Sequence, residues 1–136
     1  MQNVKNGILP KSMFCMDAQT GELIDVEFDD AQARLEFPLH QQFMCEGVSV
    51  WITHIGGYPN KYNLRIKNDI TKNPPKIFIS GHSHILKVIY DKKLDLLHLN
   101  PGAAGKHGFQ NVRTMLRFEI NDGNITNLEI IELEKR

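Results

Sequence analysis

The segment Lys76-Ile77-Phe78-Ile79-Ser80, set between Pro74-Pro75 and Gly81, limits the fold more than any other part of the chain. Its apolar run is too short for a helix and does not alternate, which is the pattern of a strand covered on both faces. Val50-Trp51-Ile52-Thr53 is a second apolar strand, and Gly47 separates it from the apolar run around Phe43-Met44-Cys45, so the two form a hairpin. After Pro59, the residues Tyr62, Ile66 and Ile70 recur at intervals of four among polar neighbours, one apolar helix face that stops at Pro74-Pro75. Strands are expected over Ile85 to Tyr90 and Leu94 to Leu99 around the turn Asp91-Lys92-Lys93. Two more, Val112 to Ile120 and Ile125 to Leu133, flank the hairpin signal Asn121-Asp122-Gly123-Asn124. The fold class is therefore mixed α/β, α+β in character, with one central buried layer. The stretch from Met1 to Asp30, broken by Gly7, Pro10, Asp17 and Gly21 and ending in acidic residues, carries the weakest pattern.

A chain of 136 residues reads as a single domain, long enough to bury a core without a disulfide or a structural metal. A metal here would serve chemistry. Lys and Arg number 16 against 16 Asp and Glu, and no basic cluster is longer than Lys92-Lys93, so a nucleic-acid backbone is not the expected partner. Cys15 and Cys45 have neither CxxC nor metal-knuckle spacing and suit a reducing compartment. No apolar stretch is of membrane-spanning length and the N-terminus lacks a leader pattern, which points to a cytoplasmic protein without a membrane segment.

Gly81-His82-Ser83-His84 stands where the buried strand ends. On an extended backbone, imidazoles two residues apart face the same side, within reach of one cation or of two neighbouring ones. An HxH tetrapeptide alone is not specific, and one exposed and one hydrogen-bonded loop histidine is an equal reading of it. His54 ends the other apolar strand, ahead of Ile55-Gly56-Gly57. Ligands of open α/β sheets bind at the carboxyl ends of strands, so the two strand tips point at one crevice for His54, His82 and His84. Asn100-Pro101-Gly102 opens a loop of small residues whose N–H groups can cradle an anion. It is not a P-loop, which needs Gly where Asn100 stands and Ser or Thr where His107 stands. His40 and His98 read as structural.

The order of these motifs resembles the C-terminal half of a calcineurin-like metallophosphoesterase, of the small phosphodiesterase type that is also similar to the retromer scaffold subunit. The resemblance runs from about Asp29 to Leu133, leaving residues 1–28 as a non-matching segment. It implies the C-terminal part of a β-sandwich with flanking helices, the N-terminal strands being absent. It also implies that His54 and His82 bind one metal and His84 another, with Asn100 and Gly102 beside the site as phosphate-facing or supporting groups. Two divalent ions, manganese first and zinc, nickel or iron after it, would clamp a phosphoryl group and activate a hydroxide for in-line attack. The expected activity is metal-dependent hydrolysis of a phosphodiester or phosphomonoester.

The family's D-x-H, G-D and G-N-x-D motifs have no counterpart in this sequence. Where G-N-x-D would fall stands Val26-Glu27-Phe28-Asp29, so Glu27 occupies the Asn position with a carboxylate capable of coordination, but an acidic run is more often a solvated face and that is the expected reading. Three imidazoles without a bridging carboxylate suggest a truncated domain, an incomplete site and impaired activity. The sheet would then keep an unpaired edge, a template for a second copy or a protein partner. A metal-dependent phosphoesterase acting on a small phosphoester, a non-catalytic scaffold that has lost its metals, and a mononuclear three-histidine hydrolase are the competing functions.

Overall fold

The computed structural model describes residues 38–134. Nine strands and one helix follow in the order β1 (His40–Cys45), β2 (Val48–Thr53), β3 (Gly57–Tyr58), β4 (Lys61–Tyr62), α1 (Leu64–Lys72), β5 (Ile77–Ser80), β6 (Leu86–Asp91), β7 (Leu96–Pro101), β8 (Arg113–Asn121) and β9 (Asn124–Leu133) among the described residues. Residues 1–28, with Cys15 and Glu27, lie outside that range.

The main sheet has the order β1-β2-β5-β7-β6. Its centre is parallel, β2 with β5 and β5 with β7, while β1 and β6 run antiparallel as the outer strands among the described residues. All four residues of β5 are buried, as the unbroken apolar run predicts. The reason is that the sheet is covered twice. Trp51 and Phe78 face α1 and pack with Ile66, Ile70 and Leu96. Val48, Val50, Ile52, Ile77, Ile79 and Leu99 face the other way, against Leu116, Phe118, Ile120, Ile125 and Leu128 of the β8–β9 hairpin. Alternation along each strand thus feeds two cores, and mixed α/β architecture follows.

The helix starts two residues later than the apolar row suggests. Tyr62 belongs to β4, because Asn63 caps α1 by accepting the Arg65 N–H at 2.9 Å. Tyr62 still reaches the core edge-on, its ring 5.8 Å from Phe78. The β1–β2 and β8–β9 turns both place their two central residues at positive φ, Glu46 and Gly47 at 48° and 80°, Asp122 and Gly123 at 47° and 80°. These are the values of a two-residue turn that matches the twist of its strands. The two turns also bond to one another, Gly123 N–H donating to Glu46 O at 2.7 Å, which fixes the hairpin layer over the sheet. No helix among the described residues is long and apolar enough to cross a membrane.

Candidate metal centre at the strand tips

The parallel ladder pairs Thr53 with Ser80, so β2 and β5 end in step. One further bond, Gly81 N–H to His54 O at 2.9 Å, carries the pairing past the strands. Beyond it, Ser80 Oγ donates to Gly57 O at 3.0 Å and draws the loop after His54 across the end of β5. Gly56 allows this approach, since a Cβ there would stand 2.5 Å from Phe78 Cζ and 2.8 Å from Ser80 Cβ. The outcome is a buried His54 next to an exposed His82, with His54 Nε2 and His82 Nδ1 3.2 Å apart and the rings edge to face.

The extended backbone assumed for residues 81–84 is not what forms. Ser83 N–H donates to Gly81 O at 2.8 Å, closing a three-residue turn with His82 at φ 64°, and His84 follows at φ 59°. Both are in the left-handed region that residues with a Cβ enter at a cost. The physical reason is Asn100 on the neighbouring strand β7. Its buried amide donates from Nδ2 to Gly81 O and to Ser83 Oγ, each at 3.1 Å, and its Oδ1 accepts the Gly102 N–H at 3.0 Å. The amide is engaged on three sides and braces the loop from behind. Gly102 lies at φ 74°, where a Cβ would be 2.2 Å from Thr114 Oγ1, so glycine is needed for β8 to approach.

The turn sends His82 and His84 to different neighbours. His82 meets His54, whereas His84 Nδ1 lies 3.1 Å from Gln110 Oε1, on the loop between β7 and β8. Gln110 had no signal in the sequence, because a polar loop residue becomes informative only once its partner is known. His40 accepts from Trp51 Nε1 at 3.4 Å, and burial lowers its pKa despite the opposing pull of Asp69. His98 is fully buried on the helix side, neither ring nitrogen making a hydrogen bond. Burial lowers its pKa to about 4.

Can these donors hold a metal? Two imidazole nitrogens bound to one tetrahedral ion at about 2.0–2.1 Å stand roughly 3.3 Å apart. The 3.2 Å between His54 Nε2 and His82 Nδ1 fits that separation. Among the described residues no group of three or more His, Cys, Asp or Glu side chains is arranged as a metal set. The pair is spaced as two ligands of one ion would be, a distance at which the two rings also hydrogen-bond, and no carboxylate joins it as a third member of a metal set among the described residues.

The model of the calcineurin-like phosphoesterase superfamily domain matches residues 16–123. The chain belongs to that superfamily. Solved structures with a similar fold include a conserved uncharacterized protein of Streptococcus pneumoniae, predicted to be a phosphoesterase, with 20% identity and a TM-score of 0.53 over 71% of this chain and 55% of the other. Vps29 of Chaetomium thermophilum gives 13% identity and 0.53 over 80% of this chain and 64% of its own. A novel archaeal phosphodiesterase gives 17% and 0.50 over 70% and 51%. At these identities the likeness is one of fold, and the chain spans less than two thirds of each structure's length. No curated protein matches it in sequence. Family membership supports divalent-metal chemistry in general terms and leaves the ion's identity open to experiment.

Proposed function

We propose that this chain carries the histidine side of a metal-dependent phosphoesterase site, acting on a phosphodiester or phosphomonoester of a small molecule. The observation that supports it is the meeting of His54 Nε2 and His82 Nδ1 at the tips of two adjacent parallel strands. In this reading His54 and His82 hold one divalent ion, manganese before zinc, nickel or iron, and His84 turns toward a second. A bound divalent ion supplies positive charge to the phosphoryl oxygens and makes an attacking water more acidic. The chain's own residues do the rest. Asn100 keeps the His82 turn in its left-handed conformation, and Gly56 and Gly102 admit the loops that wall the site.

The ligands beyond this histidine pair limit activity, so full two-ion turnover by this chain alone is not expected. The measurement that tests the reading is metal content per chain after equilibration with manganese and removal of loosely held ion. His82→Ala should lower manganese affinity by more than about 100-fold, beyond the roughly 10–100-fold that loss of an outer partner costs. His40→Ala, on the outer strand, should leave it unchanged. Equal effects of the two, or no uptake by the wild type, would count against a metal site. A scaffold function is the second reading, favoured by Val88 and Tyr90, which are exposed on the outer strand β6. Such an edge suits pairing with another chain, either a second copy or a protein partner.

A further inference from the structure

Gln110 ties His84 to the β7–β8 loop in a way that determines where the imidazole keeps its proton. Its Nε2 donates to two backbone carbonyls, Gly105 O at 3.0 Å and His107 O at 2.6 Å. Carbonyl oxygens only accept, so the nitrogen end of the amide has to face them and Oε1 has to be the atom 3.1 Å from His84 Nδ1. An amide oxygen also only accepts. His84 Nδ1 must therefore donate, and in the neutral ring the lone pair is on Nε2. Gly108 protects this contact: at φ 115° it has no Cβ, and one placed there would lie 2.3 Å from Gln110 Oε1 and 2.4 Å from His84 Nδ1.

We infer that Gln110 is the positioning residue of His84, fixing it as the Nδ1–H tautomer so that Nε2 is the atom offered to a divalent cation. The cation rests on the phosphoesterase reading above; the tautomer does not. A histidine ligand whose other ring nitrogen donates to a fixed acceptor is held in orientation and made more basic. The usual acceptor is a carboxylate or a backbone carbonyl. Here it is a side-chain amide held by its own loop, so the order of residues 105–110 and the orientation of His84 rise and fall together. The partner pair works in the opposite sense, since His82 presents Nδ1 rather than Nε2 to His54.

The test uses the full chain, metal-free, with isotope-labelled histidine read by long-range proton–nitrogen NMR at neutral pH, the His84 signals being assigned with His84→Gln. Wild type should show His84 as Nδ1–H. Gln110→Leu and Gly108→Ala should move it toward the Nε2–H form. Manganese titration by calorimetry should then give an affinity about 10–100-fold weaker for Gln110→Leu than for wild type. A wild-type His84 found as Nε2–H overturns the inference, and that result needs no variant to fold. So does a Gln110→Leu protein that loses the tautomer yet binds manganese at wild-type strength, an outcome that leaves the metal site standing. The expected tautomers with no manganese uptake by any form would instead remove the phosphoesterase reading and leave the positioning of the ring intact.

Discussion

Asn100 and Gln110 each hold one side of the candidate site with a side-chain amide making three hydrogen bonds, yet the two sides differ in how firmly they are set. Asn100 is 3% exposed and joins Gly81, Ser83 and Gly102, all next to strands of the main sheet. Gln110 is half-buried and joins His84 to a loop whose residues 106–109 are exposed. The same chemistry is worth more where water cannot replace a lost partner. The His54–His82 side belongs to the frame of the fold, and the His84 side to a loop laid on it. A change at the first should therefore alter stability and site together, and a change at the second should alter the site alone.

Asn100→Leu should show the largest effect. It leaves the buried Gly102 N–H without its partner and removes one of two donors from Gly81 O and from Ser83 Oγ, which keep Ser83 N–H and Ile85 N–H, at an expected cost of about 3–4 kcal/mol. Urea unfolding monitored through Trp51 fluorescence measures it. Gln110→Leu in the same assay should lose less, about 1 kcal/mol, because the exposed His107 carbonyl can turn to water and none of the three bonds is fully buried. Similar losses in the two variants would remove the contrast.

His98 probes the frame through pH. It is 0% exposed on β7, two residues before Asn100, and burial lowers its pKa to about 4. The unfolded chain takes up a proton near pH 6.5 that the folded chain refuses until about pH 4. Stability contributed by keeping this ring neutral is therefore whole above pH 6.5 and lost progressively as pH falls to about 4, by roughly 3 kcal/mol in all. His98→Leu lacks that slope, so the stability of wild type relative to the variant should decline by this amount between neutral pH and the lower end of the window. Parallel pH profiles for the two proteins would mean that His98 is not held neutral.

The frame was legible in the sequence and the loop was not, for a physical reason. Ile77-Phe78-Ile79 and Val50-Trp51-Ile52 declare burial on both faces by composition alone, and Asp122-Gly123 declares a tight turn through the φ it demands. Histidines closing such strands could be expected at one end of the sheet, because ligands of open α/β sheets bind at the carboxyl ends of strands. The turn at His82 could not be foreseen, because the bond that stabilises it comes from Asn100, distant in sequence. Gln110 was less visible still. Nothing in Gly105-Lys106-His107-Gly108-Phe109-Gln110 distinguishes an amide that reaches an imidazole from one that faces water.

The smallest expected effect tests how far the loop can vary without disturbing His84. Phe109 is fully exposed at the loop's tip, at 103%, so its ring gains nothing from burial in the folded chain. The loop is anchored on either side of it. Arg113 Nε donates to Ala104 O at 2.6 Å, Thr114 N–H donates to Ala103 O at 3.0 Å, and Gln110 holds the carbonyls of Gly105 and His107. Phe109→Ser should accordingly change unfolding free energy by less than about 0.5 kcal/mol and leave the NMR signals of His84 in place. A shift of those signals, with stability unchanged, would mean that the tip transmits its position to the imidazole through Gly108 and Gln110. The boundary between frame and loop would then lie at the strand ends rather than at Gln110. Unmoved signals would confine the positioning function to the amide, since three anchors that bypass residue 109 suffice to hold it.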